Sequence, residues 1–271
     1  MPWKDNYYPS VPVVSPISVG KPKSTGRTQP LEMHCETANG PADYIVKLWG
    51  CPELPFGPHC LAREIYGALL ADFFGLQTPE IAIVNIDPEF PISQPDLQIQ
   101  SRLTQSTGSN FGSKYLQGAV IFSNPVLPNR KSDAARVFCF DLLIGNVDRR
   151  ISKPNVFQTS DGFIVFDHES AFPFSKPATY LGGYPKPWDF VREPWHRDHA
   201  FFPSLKGADS ALEIEEFVMI LNMLSDEVFD KIEDITPEEW RTPDLQVLKD
   251  YLLSARDNSQ VFKRSLQEML S

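Results

Sequence analysis

"DLLIGNVDRRISKPNVFQTSDGFIVFDHESAF", residues 141–172, sets Asp148, Asn155 and Asp167 into an otherwise apolar stretch. The part from Asn155 to Asp167 alternates as a β-hairpin does, with Asp161-Gly162 as its turn. "DAARVFCFDLLIGNVD", residues 133–148, reads as a helix with Ser132 as N-cap and Asp148 at its end. Asp148 then stands where a helix passes into a loop. Asn155 heads one strand and Asp167 follows the other, so the hairpin brings them close together. A carboxylate directly after "FIVF" is costly unless it is paired or bound to a metal.

Those three residues suit one kind of chemistry. Phosphoryl transfer from a Mg²⁺-bound nucleotide needs a base or positioner for the attacking hydroxyl, oxygen ligands for a hard cation and a positive charge on the phosphates. Asp148 fits the first role, and Asn155 with Asp167 the second. An Asn in place of a further carboxylate limits the negative charge that would repel ATP. Lys47 ends an apolar strand pattern and fits the third role, with Glu64 on the following helix as its partner; protein kinases hold a strand Lys with a helix Glu in this way. The alternative for Lys47 and Glu64 is a solvated surface pair.

Working outward, residues 1–15 are rich in Pro, Ser and Tyr and read as an irregular arm. A strand from Ile17, a turn holding Gly20 and Gly26, a strand over 30–36, an Asn39-Gly40 turn and a strand over 43–49 form a meander. Apolar residues at 61, 62, 65, 66, 69, 70, 73 and 74 make a helical stripe that Gly75 closes, and a strand follows over 81–86. Residues 88–99 read as a loop, "LQIQSRL" (97–103) as a strand, and "FGSKYLQGAVIF" (111–122) as Gly-punctuated chain leading out of it. Residues 173–207 read as an irregular wrap. A helix over 210–232, a capping box at Thr236-Pro237-Glu238-Glu239 and one or two final helices complete the chain. No internal repeat is visible. This order is α+β: a β-rich part over 16–125 and a mainly helical part over 126–271 carrying the hairpin.

Composition excludes several classes. The formal net charge of −10 over 271 residues disfavours a nucleic-acid binder. The cluster Arg130, Lys131, Arg136, Arg149, Arg150 and Lys153 suits a small polyphosphate better than a duplex. No run approaches the roughly 18 apolar residues of a membrane span. The opening "MPWKDNYYPSVPVV" lacks the regions of a signal peptide, so a cytoplasmic protein is expected. The four cysteines match neither a disulfide framework nor a zinc spacing, with Pro52, Pro55 and Pro58 marking a loop between Cys51 and Cys60.

"VKL" (46–48), "LAREIYGALLADFFGL" (61–76) followed by "TPEIAIV" (78–84), "FGSKYL" (111–116), "NVDRRISKPNVF" (146–157) and "FDHESAF" (166–172) together resemble the HipA-like kinase domains, specifically their stand-alone bacterial group. The resemblance spans about residues 15–207. It implies a protein-kinase-like fold of two lobes, a small β-rich nucleotide-binding N-lobe and a larger helical C-lobe. It also implies binding of ATP and Mg²⁺, with Asp148 as catalytic base, Asn155 and Asp167 as metal ligands and Lys47 on the phosphates. Three departures stand out. The Asp148-to-Asn155 spacing is two residues longer than in the toxin-type members. His168-Glu169 replaces the Phe-Gly of ordinary protein kinases. No G-x-G-x-x-G occurs in the first turn, where Ser24, Thr25 and Thr28 offer hydroxyl and backbone N–H groups to the phosphates instead.

The expected acceptor is a hydroxyl, with a protein Ser or Thr first. A nucleotide-binding pseudokinase or scaffold, a small-molecule kinase and a lipid kinase are the alternatives, the last disfavoured by the net charge. His168, His196 and His199 read as structural histidines. Arg149 and Arg150 either bind substrate phosphate or anchor the catalytic loop.

Overall fold

In the computed structural model, which describes residues 3–4, 7–22, 28–51, 59–172 and 186–271, the N-terminal strands close on themselves. β1 (Val13–Pro22) runs antiparallel to β2 (Leu31–Glu36), and β2 to β3 (Ala42–Lys47). β4 (Ile81–Ile86) pairs parallel with β1 and antiparallel with β5 (Gly108–Lys114), which returns to β3. The resulting barrel order is β1-β2-β3-β5-β4, which leaves no open edge. Alternation drives this closure: Leu31, Met33 and Cys35 point inward while Glu32 and His34 do not. β1 starts at Val13, inside the stretch that reads as an arm.

β5 is the strand that the sequence hides best, because its Gly-rich "GSNFGSK" carries little strand propensity. Its Gly112 answers to a close approach instead: a Cβ there would lie 2.7 Å from Val84 Cγ2. The strand expected over 97–103 is a helix, α2 (Leu97–Thr104). Asp96 caps it by accepting from the N–H groups of Gln98 and Ile99. Ile99 and Leu103 satisfy a helical i, i+4 spacing as well as an alternation, and the cap decides between them.

α1 (His59–Phe73) precedes α2 and is buried on nearly every face, and Gly75 in the left-handed region ends it. Beyond the barrel, β6 (Val120–Ile121), β7 (Val156–Gln158) and β8 (Phe163–Val165) form a small antiparallel sheet. α3 (Lys131–Ile144) lies between β6 and β7 in sequence. It departs from expectation at both ends. A tight turn over Pro128–Arg130 leads into it without a Ser132 cap, and Gly145, at φ 64°, stops it before Asp148. Asp148 therefore sits in the turn that follows, not at a helix end.

The remainder is helical: α4 (Pro187–Phe190), α5 (Phe202–Leu205), α6 (Ala211–Leu221), α7 (Asp226–Ile235), α8 (Asp244–Asp257) and α9 (Ser259–Leu270). The single helix expected over 210–232 is broken in two, with Ser225 in extended backbone restarting the chain as α7. Thr236 opens no capping box. Its Oγ1 donates to the carbonyl of Ile232 at 2.8 Å and closes α7, and only a short turn at Glu238–Trp240 follows. The described part of the 173–207 wrap holds α4, α5 and a tight turn at Pro194–Asp198. Phe74, just past α1, stacks on Phe217 of α6 with ring centroids 4.6 Å apart, so one apolar core runs from α1 into the helical part. No described helix is long and apolar enough to cross a membrane.

Candidate active site

Lys47 is the last residue of β3, and its ammonium points inward. Nζ donates to Glu64 Oε1, to Asp167 Oδ1 at 2.6 Å and to Glu169 Oε2 at 2.7 Å. Its side chain is 11% exposed, which rules out the solvated surface pair. Burial pulls the Lys47 pKa down, but Asp167, Glu64 and Glu169 more than reverse that and hold it well above the ordinary lysine value. Burial pushes Glu64 up to about 7 against the attraction of Lys47. Asp167 goes the other way, because Lys47 and Lys153 together outweigh its burial and keep it well below the usual carboxylate range.

The hairpin register brings the expected metal ligands together. Val156 pairs with Val165, which sets Asn155 across from Phe166, and Phe166 N–H donates to the Asn155 carbonyl at 3.2 Å. Asn155 and Asp167 both take left-handed backbone, φ 49° and 64°, a strain that Asn and Asp tolerate better than most residues. Asn155 is 6% exposed, and its Nδ2 has no partner among the described residues. Both residues line a cavity of about 470 Å³ together with Lys47, Glu64, Lys153 and Glu169. Its other walls are mainly apolar, with Ile45, Ala68, Ile81, Phe157 and Val165 among them and Thr28, Thr78 and Ser113 as polar exceptions.

Asp148 stands just outside that wall and is tied to it through Lys153. Nζ of Lys153 lies 2.6 Å from Asp148 Oδ2 and 3.2 Å from Asp167 Oδ2. Of the phosphate-loop residues, Thr28 lines the cavity, and its carbonyl accepts from Arg102 at 3.3 Å. Ser24 and Thr25 lie outside the described residues.

The loop carrying Asp148 is fixed from beneath. Arg149 is fully buried. Its Nε donates to Asp141 Oδ2 at 2.5 Å, and Nη1 donates to the carbonyls of Asn155 and, at 3.2 Å, Phe166. His199 accepts from Phe201 N–H through Nδ1, so its Nε2 carries the proton and donates to Asp141 at 2.9 Å. Arg149 is thus the anchor of the loop. Arg150 is half-exposed, and its Nη2 lies 3.8 Å from Asp148. His196 meets the Glu193 carbonyl at 2.7 Å, the structural role expected of it.

Asp141 and Glu169 are the site residues that sequence reasoning passed over, while Lys153 reads there only as one of a basic cluster suited to a small polyphosphate. Asp141 left one signal, a lone carboxylate on the apolar face "FCFDLLIG".

His168 links the anchor to Lys47's partners. Its backbone N–H donates to Glu64 Oε2 at 2.8 Å, and its Nε2 faces Arg149 Nη2 at 3.4 Å. Arg can only donate, so Nε2 accepts and the ring is neutral. Gly67 of α1 makes room for it, because a Cβ there would sit 2.4 Å from His168 Cβ and 2.5 Å from Cγ. Gly67→Ala is expected to cost about 1–3 kcal/mol in urea unfolding. A cost near zero would mean that the two segments are not packed as described.

Burial and Arg149 lower His168 from 6.5 to about 3. A depressed folded pKa gives stability that is fully present above the unfolded value and is lost as pH falls through that window. His168 should therefore cost about 1 kcal/mol at about pH 5.5. Glu64, raised by burial, works in the opposite sense over an overlapping range. The comparison that isolates His168 is wild type against His168→Gln, whose stability should fall less between about pH 7.5 and about pH 5.5. Equal slopes would contradict a neutral buried ring.

The carboxylates of Glu64, Asp167 and Glu169 at the hairpin mouth fit a hard divalent cation, and the unpartnered Nδ2 donor of Asn155 leaves an N–H for an acceptor on whatever binds beside it. Residues 17–180 match the family model described as HipA-like kinase. The crystal structure of a Helicobacter pylori proinflammatory kinase, CtkA, is similar with a TM-score of 0.56 and 12% sequence identity. That match covers 96% of this chain and 99% of the other, and at this identity it speaks for the fold. No curated protein matches the chain.

Proposed function

This chain belongs to the HipA-like kinase family, and on that premise we propose that it transfers the terminal phosphoryl group of Mg²⁺-bound ATP to a hydroxyl acceptor. The observation that carries the reading is the convergence of Lys47, Asn155 and Asp167 on one cavity, with Asp148 a single lysine away. Asn155 and Asp167 would hold the cation, which would neutralise charge developing on the nucleotide phosphates. Lys47, steadied by Glu64, turns its ammonium to those phosphates. The apolar walls take the base and shed water from it. Asp148 accepts the proton of the attacking hydroxyl, held in place by the buried Arg149 anchor.

The acceptor we propose is a protein Ser or Thr. Asp148 lies outside the cavity wall and is 19% exposed, three residues before the exposed Ile151, a position that suits a hydroxyl on a large partner. In this reading residues 16–125 are the nucleotide-binding lobe and 126–271 the helical lobe. The enzyme works in the cytoplasm, where ATP is available and thiols stay reduced.

The test is mass spectrometry of a cell lysate incubated with the protein and ATP, set against Asp148→Asn. New phosphosites that need Asp148 support the reading and identify the acceptor. Nucleotide binding without any phosphate release or self-phosphorylation would replace it with a regulatory pseudokinase.

A further inference from the structure

The geometry points to Glu169 as an additional protein ligand of the divalent cation, beside Asn155 and Asp167. The inference rests on the nucleotide reading above and adds to it a residue outside the expected set.

An ammonium has three N–H donors, and Lys47 spends them on Glu64, Asp167 and Glu169. To reach a phosphate it must release at least one. Glu64 also accepts from His168 N–H at 2.8 Å, and Asp167 also has Lys153 at 3.2 Å. Glu169 has no partner but Lys47 among the described residues, and its side chain is 8% exposed. When Lys47 turns to the nucleotide and the bond it releases is the one to Glu169, that carboxylate is left buried with no countercharge, a state that proteins avoid. A cation has to replace the lysine.

The room and the companions for that cation are present. One oxygen each of Glu64, Asp167 and Glu169 can lie within 4.8 Å of one another, close enough for an ion to bridge. The unpartnered, buried Asn155 Nδ2 is a donor on the same cavity, and it calls for an acceptor there such as a nucleotide phosphate oxygen, independent evidence that a ligand completes this place.

Charge agrees in sign: the carboxylates of Asp148, Asp167, Glu169 and Glu64 outnumber the cations Lys47, Lys153 and Arg150 that face them, so the place favours a further positive charge. Glu169 thus holds Lys47 while the cavity is empty and holds the cation once nucleotide enters.

The experiment is titration of Mn²⁺, followed by its electron paramagnetic resonance, into the full chain saturated with a non-hydrolysable ATP analogue. Glu169→Gln keeps the shape and removes the charge. It should weaken Mn²⁺ binding by about tenfold or more. Affinity for the analogue in excess chelator should hold or rise, because Lys47 is freed. Glu169→Asp should restore part of the Mn²⁺ affinity, which a merely structural role would not do.

Unchanged Mn²⁺ affinity in Glu169→Gln, with wild type binding normally, overturns the Glu169 assignment and leaves the kinase reading standing. Equal losses with and without metal also overturn it, since Glu169 would then be acting on the fold. Wild type that binds neither analogue nor Mn²⁺ overturns the kinase reading itself.

Discussion

Asp148→Asn is expected to lower phosphoryl transfer by about 10²–10⁴-fold while leaving the rise in melting temperature with Mg²⁺ and an ATP analogue nearly intact. Asn keeps the size and the acceptor carbonyl but cannot take the hydroxyl proton. Asp148 lies outside the cavity wall, so nucleotide binding does not depend on it. Lys153, which loses Asp148 as a charged partner, keeps Asp167. Asp167→Asn should behave in the reverse order. Asp167 lines the cavity and faces both lysines, so its loss should abolish most of the melting-temperature rise as well as the activity. A radiolabelled transfer assay run beside thermal denaturation separates the two cases. If both variants lose the same amount of each, the division between a proton acceptor and a cation ligand is wrong.

The second large effect concerns stability. Arg149→Met should cost about 3–5 kcal/mol in urea unfolding, because it leaves Asp141 as a charge with no exposed surface and takes a donor from the carbonyls of Asn155 and Phe166. Arg149→Lys should recover only part of this, since one ammonium cannot match the fork that reaches a carboxylate and two carbonyls together. Asp141 is held well below the usual carboxylate range, where Arg149 and His199 outweigh its burial. That hold would weaken in the variant, where His199 and Asn146 would remain on the carboxylate. Adding Asp141→Leu to Arg149→Met should cost less than the two single changes summed, because the second change removes the stranded charge. A single-variant loss under about 1 kcal/mol would mean that the loop is secured elsewhere.

Much of this arrangement is legible in the linear chain, for a physical reason. The hairpin, the Lys47 strand and α1 are local patterns, set by alternation, helical spacing and turn residues that act within a few positions. The bond between Lys47 and Glu64 could be foreseen because both sit on short, regular elements. What could not be read depends on partners distant in sequence. Asp141 looks like a misplaced polar residue until Arg149 and His199 arrive, the latter 58 residues away. Glu169 looks like a turn residue until Lys47 reaches it across 122 positions. The errors in secondary structure share another cause. "LQIQSRL" and "GSNFGSK" carry weak local preferences, so a cap in one case and strand pairing in the other decide their form.

One set of contacts bears on how such an enzyme can be controlled. Val165 N–H donates to the Gln77 carbonyl at 2.9 Å, Arg63 Nη1 to the Ala171 carbonyl at 3.0 Å and His168 N–H to Glu64 at 2.8 Å. These bonds sew α1, and the turn that leaves it, to the β8 side of the hairpin. Many protein kinases are silenced by swinging the helix that carries the lysine's glutamate. Here a swing of that helix would break all three bonds, so an off-switch of that kind would cost more than one that acts on the lysine's choice of partner or on access to the cleft.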